Sequence, residues 1–316
     1  RCSQSDAMGF LPVGLRPAWS GASFLLYAGA FTVLGALGVL LGSLAEMHGS
    51  TALIGWSALF LALLLAVAVA SDRDDRRVVA GLSAFVAVAV VGVAAGALLD
   101  AIGLADSSEP FDRDLELAPF VVEVVVLAAA LVAARRFRFP LLLLAAAIAT
   151  TVLVLDATAA VFGTGNWVAT AALLLGFGEL AIARLLDASG RPEWAFWKHV
   201  AAAFTIGGAV LWLLDGNDVG WVVIGLISLG YVALARAFGR SVWAIAGALG
   251  LLLTTSHFVD ESDAIVGAIP FLPTEGVEGA GLELWQTALV YIGLGVAYAL
   301  LAQFLRQPTT HDVPPA

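Results

Sequence analysis

Glu179 stands in the run Gly176-Phe177-Gly178-Glu179, twelve residues after Trp167 in an otherwise apolar stretch. At about 1.5 Å per residue its carboxyl lies roughly 18 Å along a helix. An ionisable group at that depth in lipid is costly to hold, and a proton or a cation is its natural ligand. The flanking glycines leave room for a second backbone, while Arg184 further along offers a purely structural neutralisation. Glu123, in Phe120-Val121-Val122-Glu123-Val124-Val125-Val126, lies nearer the outer surface, and a polar bond between helices or simple proximity to the interface explains it equally well. Both residues are candidates for ion or proton coupling.

A second group of acids recurs at the ends of apolar runs. They are Leu44-Ala45-Glu46, Leu98-Leu99-Asp100, Val154-Leu155-Asp156, Leu213-Leu214-Asp215 and Phe258-Val259-Asp260. At helix C-termini a carboxylate meets the negative end of the macrodipole, at a cost of about 0.3–1 kcal/mol each. Two readings follow. The five carboxylates converge as a cation-attracting vestibule, or they are solvated charges in loops that exclude Arg and Lys. His48 follows Glu46, and His257 shares a helix face with Asp260. Together these four residues could hold a divalent metal, but nothing in the spacing requires one, and no metal site is assigned. The candidate outer layer is thus Glu46, His48, Asp100, Asp156, Asp215, His257 and Asp260.

The elements that must position these residues follow from composition. Of 316 residues 61% are hydrophobic and 13% charged, with a mean hydropathy of +0.96. A soluble domain is about 45–50% apolar and about 25% charged, so soluble, disordered, collagen-like and disulfide-framework classes are excluded. Cys2 is the single cysteine, which leaves no internal disulfide or thiolate site. A net charge of −10 leaves no basic surface for nucleic acid. Phosphate-cradling, nucleophile-elbow and His-Glu-x-x-His motifs are absent from the sequence. No enzyme activity and no cofactor are expected.

Crossing the bilayer core takes about 20 apolar residues. Ten runs qualify: 21–44, 51–70, 78–100, 117–134, 140–160, 167–187, 195–215, 219–238, 241–259 and 284–305. The first reads as a retained helix and not as a cleaved signal. Fourteen of the fifteen basic residues, Lys198 among them, fall at alternate ends of these runs, and only Arg113 lies opposite. The positive-inside rule then places both termini in the cytoplasm. The nine tryptophans fall near expected membrane boundaries, as an interfacial belt would. Pro119 and Pro140 open helices, and no proline falls in mid-span. Gly38-x-x-x-Gly42, Gly92-x-x-x-Gly96 and Gly293-x-Gly295 read as packing seams, and Gly207-Gly208 marks the one place a helix could break. The apolar segment 264–273 is too short to span and reads as an interfacial loop or a lid.

The expected fold is an all-α, polytopic transmembrane bundle of about ten spans in five αα-hairpins. A cytoplasmic tail (1–20), truncated upstream, precedes the membrane domain (21–305), and a disordered cytoplasmic tail (306–316) follows. The stretches 25–42 (LLYAGAFTVLGALGVLLG), 229–258 (LGYVALARAFGRSVWAIAGALGLLLTTSHF) and 288–307 (ALVYIGLGVAYALLAQFLRQ) resemble bacterial multi-span membrane proteins of the domain-of-unknown-function type. That resemblance implies a multi-helix fold in the bacterial cytoplasmic membrane, with no assigned activity or site. Ten spans with both ends inside is also similar to the drug/metabolite transporter superfamily, although its halving into two five-helix repeats is not found here. The expected function is a small-solute or cation permease with the lipid bilayer as its surroundings. The alternative is a non-transporting scaffold or sensor module whose soluble part lies upstream.

Overall fold

In lipid every backbone N–H and C=O must be bonded within the chain, so an open chain of 20-residue apolar runs takes helices. The computed structural model describes residues 21–74, 76–104, 117–214, 216–259 and 284–305, and all secondary structure among them is helical. The elements are α1 (Gly21–Arg73), α2 (Arg77–Ala101), α3 (Leu117–Phe137), α4 (Leu142–Phe162), α5 (Asn166–Ala188), α6 (Pro192–Leu214), α7 (Asp218–Phe238), α8 (Ser241–His257) and α9 (Leu284–Leu305). Seven of these, α1 to α7, are long and apolar enough to cross a membrane, while α8 and the stretch Leu289–Tyr298 of α9 are shorter. The expected runs 21–44 and 51–70 both fall within α1. Asp215, Asp260, the 264–273 segment and both tails lie outside the described residues.

α1 is not one rod. Gly49 has φ 73° and ψ 179°, a region open essentially to glycine alone. Tyr27, Ala30 and Leu34 before it and Leu64 and Ala68 after it pack on one core with Leu82, Phe85, Ala134 and Leu141. A straight helix of this length would stretch about 80 Å and could not bring Tyr27 and Ala68 to that core. The chain therefore folds back at Gly49.

Two compact units divide between Ala209 and Val210. In the first, residues 18–209, α1 packs on α2, α2 on α3, α3 on α4 and α4 on α5. Tyr27 stacks on Phe139, in the α3–α4 turn, and on Trp197 of α6, with ring centroids 6.1 and 5.8 Å away. Gly81 of α2 lies against the same Phe139 ring, where a side chain would overlap it. Lipid is as apolar as leucine, so close van der Waals fit and not hydrophobic drive holds such contacts. Gly92 and Gly96 bear this out, meeting Val126 and Val122 of α3, whereas Gly38, Gly42, Gly293 and Gly295 have nothing within 4 Å of a would-be Cβ. The packing reading holds for one of the three expected seams.

The second unit, from Val210 onward, rests on α7 and α8. Gly247 meets the Ser228 carbonyl, Gly250 the Ser228 hydroxyl and Gly225 the Thr254 methyl. Trp243 is fully buried and takes the edges of Tyr231 and Phe238 at 5.0 and 6.0 Å. α9 adds a bond from the Tyr298 hydroxyl to the Ala248 carbonyl at 2.6 Å. The interfacial-belt reading thus fails for Trp243 and for Trp197, both buried against protein. It suits Trp56, Trp167 and Trp212, which are exposed alongside outward Leu174, Val132 and Val161. So much exposed aliphatic surface fits a bilayer and not water.

Local signals set the ends. Pro192 occupies the first position of α6, because the N–H it lacks would have no partner there. Asn217 caps α7 by accepting from the Gly220 N–H at 2.8 Å. Gly239 closes α7 in the left-handed conformation. α6 runs unbroken through Gly207-Gly208.

Candidate functional site

The first site sits in the α3–α4 hairpin. Glu123 stands fourteen residues before Phe137 at the end of α3, and Asp156 fourteen residues after Leu142 at the start of α4. A short turn through Phe139 and Pro140 joins the helices, so both acids reach one level, about 21 Å from that turn. Their carboxyls come within side-chain hydrogen-bonding reach of each other. Glu123 is 9% exposed. Glu123 Oε2 and Asp156 Oδ1 are both buried, and among the described residues no N–H or O–H donates to either. On α4, Thr151 donates to the Ala147 carbonyl and Thr158 to that of Val154. Asp156, expected among the terminal acids, meets Glu123, because the symmetric positions about the turn bring the two level.

The second site sits in the α5–α6 hairpin. Glu179 is 4% exposed and Lys198 9%, and Lys198 Nζ lies 2.7 Å from Glu179 Oε2. The contact is off the axis of a regular hydrogen bond, so its attraction is chiefly coulombic. Lys198, which the positive-inside pattern groups with the basic ends of the runs, is a buried countercharge on α6. Arg184, the neutraliser expected for Glu179, lies 3.8 Å from Asp187. One residue along, fully buried His199 shares a hydrogen bond with Asp187, Nε2 to Oδ2 at 2.9 Å. Gly176 makes the close approach possible: a Cβ there would sit 3.1 Å from the backbone nitrogen of Ile206 on α6, while Gly178 faces open space. Sequence reasoning found Glu179 and the role of Gly176 but missed Lys198, His199 and Asp187. The usable signal was that Lys198 is the sole lysine and lies inside a predicted span, across one turn from Glu179.

Glu46, His48 and Asp100 are exposed. His257 bonds Asp218 at 3.1 Å and stacks on Trp221 at 4.6 Å. Asp218 itself is 83% exposed. No cluster of three or more His, Cys, Asp or Glu side chains suited to a metal occurs among the described residues.

Comparison with protein-family models, curated proteins and solved structures finds no match. Glu179 carries its countercharge with it. Glu123 and Asp156 present two acceptors to each other.

Proposed function

We propose that this multi-pass membrane protein is a permease for a small solute or cation, in a bundle of about ten spans with both termini cytoplasmic. The observation that supports this reading is the Glu123–Asp156 pair: two carboxyls meet inside apolar helices, with no counter-cation among the described residues. An ionisable residue within a membrane span marks an ion or substrate path by default. The coupling role first given to Glu179 moves to this pair, since Lys198 already neutralises Glu179.

A ligand that binds only the folded protein raises its stability, by about 2.7 kcal/mol at a hundredfold excess over Kd. Melting the purified full chain against Na⁺, K⁺, Mg²⁺, Ca²⁺, Mn²⁺, Zn²⁺ and panels of amino acids, sugars and nucleosides identifies the ligand. Uptake of that ligand into proteoliposomes follows, with Glu123→Gln abolishing it. A flat response to the whole panel overturns the permease reading.

The second reading, a non-transporting scaffold or sensor module, draws on two observations. α6 is unbroken at Gly207-Gly208, and transporters often build their sites at broken helices. Glu179 is paired as a structural ion would be.

A further inference from the structure

The buried polar atoms left without a donor include one oxygen from each carboxyl of a single pair, Glu123 Oε2 and Asp156 Oδ1. A buried acceptor without a donor costs roughly 1–3 kcal/mol, and more when charged. Two facing carboxylates add mutual repulsion in a medium of low dielectric. One particle between them removes both penalties.

Several cations could play that part, and coordination decides among them. Ca²⁺ takes six to eight oxygens and Mg²⁺ an octahedron, usually with retained waters. The two carboxyls offer at most four oxygens, fewer than either ion takes. A proton needs two oxygens and no more. An O–H···O⁻ bond between carboxyls is short, charge-assisted and about twice as strong as a neutral one.

We infer that Glu123 and Asp156 share a single proton within the membrane-spanning hairpin, forming a hydrogen carboxylate pair that is the protein's exchangeable proton site. The surroundings isolate it. α2, packed on α3, carries ionisable groups only near its ends, Arg77 and Asp100. α5, packed on α4, carries Glu179, Arg184 and Asp187, all in its second half, with Glu179 about 10 Å nearer the opposite end of the bundle than Asp156. Arg135 and Arg136 lie at the turn end of α3. Among the described residues Asp156 is the charged neighbour that bears on Glu123. Protonation of the pair is therefore a local event, with no Lys or Arg of the described residues on α2 to α5 level with it. As a coupling site the pair rests on the permease reading; as a proton site it does not.

Infrared spectroscopy of the full chain in lipid bilayers tests this directly. A protonated buried carboxyl gives a carbonyl stretch clear of the amide bands, and that stretch moves down in D₂O. The expected result at neutral pH is one such band per chain, lost in Glu123→Gln and in Asp156→Asn and retained in Glu46→Gln. Asp156→Asn guards against simple misfolding, because its amide N–H₂ gives Glu123 a fixed donor. It should melt close to the wild type while lacking the band. Absence of the band in the wild type, or its survival in both pair variants, overturns the proton site whatever the protein transports. A band that behaves as expected in a protein that neither binds nor moves any panel ligand upholds the proton site and removes the permease reading alone.

Discussion

The α3–α4 and α5–α6 hairpins each bury an acid on an apolar helix, and they neutralise it by opposite means. α5–α6 supplies a permanent countercharge: Lys198 lies 2.7 Å from Glu179, and its neighbour His199 holds Asp187. α3–α4 supplies only a second acid. A buried ion pair is fixed for the life of the fold, whereas a carboxyl pair is neutral enough to stay buried only while something mobile sits between its oxygens. The contrast assigns holding to one hairpin and exchange to the other. A buried acid is thus a functional candidate only after its partner is known.

Removing the permanent partner should give the largest effect. Lys198→Met leaves Glu179 charged and uncompensated in a site of low dielectric, and breaking one side of a buried pair typically costs about 3–5 kcal/mol. A steep fall in melting temperature and in folded yield is expected, with recovery in the double variant Lys198→Met/Glu179→Gln. Detergent melts of the two single variants and the double close the cycle. If Lys198→Met melts like the wild type, the pair is not what holds α5 to α6, and Glu179 returns as a coupling candidate.

Next in size is the fit that lets the two helices approach. Gly176→Val would drive a branched side chain into Ile206, whose backbone nitrogen is 3.1 Å from the Cβ position. Overpacking of this kind costs about 1–3 kcal/mol. Gly178→Ala, with nothing within 4 Å, should be neutral or stabilise by up to about 1 kcal/mol through helix propensity. Equal effects from the two substitutions would show that α5 and α6 tolerate a wider gap.

The helices themselves were legible in the sequence because bilayer thickness fixes their length and apolar runs announce it. The reversal within α1 was legible as two runs but not as Gly49, since only backbone geometry reveals which glycine takes a positive φ. The acids were legible singly. Their partners were not, because pairing depends on two distances from a turn whose position is uncertain by a residue or two. Once α3 ends at Phe137 and α4 starts at Leu142 the equality of those distances is plain; with the boundaries 117–134 and 140–160 it is hidden. Lys198 was read by its proximity to a loop, and the positive-inside rule absorbed it. Trp243 shows the same limit: a tryptophan at a boundary is equally placed for lipid headgroups and for a neighbouring helix, and Tyr231 decided it.

Asp156→Asn sharpens the comparison from the other side. It exchanges a mobile proton for a fixed amide donor to Glu123, so its stability should stay within about 1.5 kcal/mol of the wild type, far less than the loss from Lys198→Met. Comparable losses from the two variants would mean that the carboxyl pair is as structural as the ion pair, and the division between holding and exchange would fail.

The smallest effect belongs to the exposed counterpart of the His199–Asp187 bond. His257 bonds Asp218 at 3.1 Å, but Asp218 is 83% exposed and His257 keeps its stack on Trp221 without it. Exposed ion pairs contribute about 0–1 kcal/mol, and Asp218→Asn retains an acceptor for the imidazole. Its melt should overlay that of the wild type, while His199→Ala, which empties a fully buried position and strips Asp187 of a partner, should be clearly destabilised. A cation-dependent melt that disappears in Asp218→Asn would break this ordering. It would make the end of α7 and α8 a binding site in its own right and restore the outer acids as an entry for cations, since a solvated carboxylate with no ligand has no means of making stability depend on the ion present.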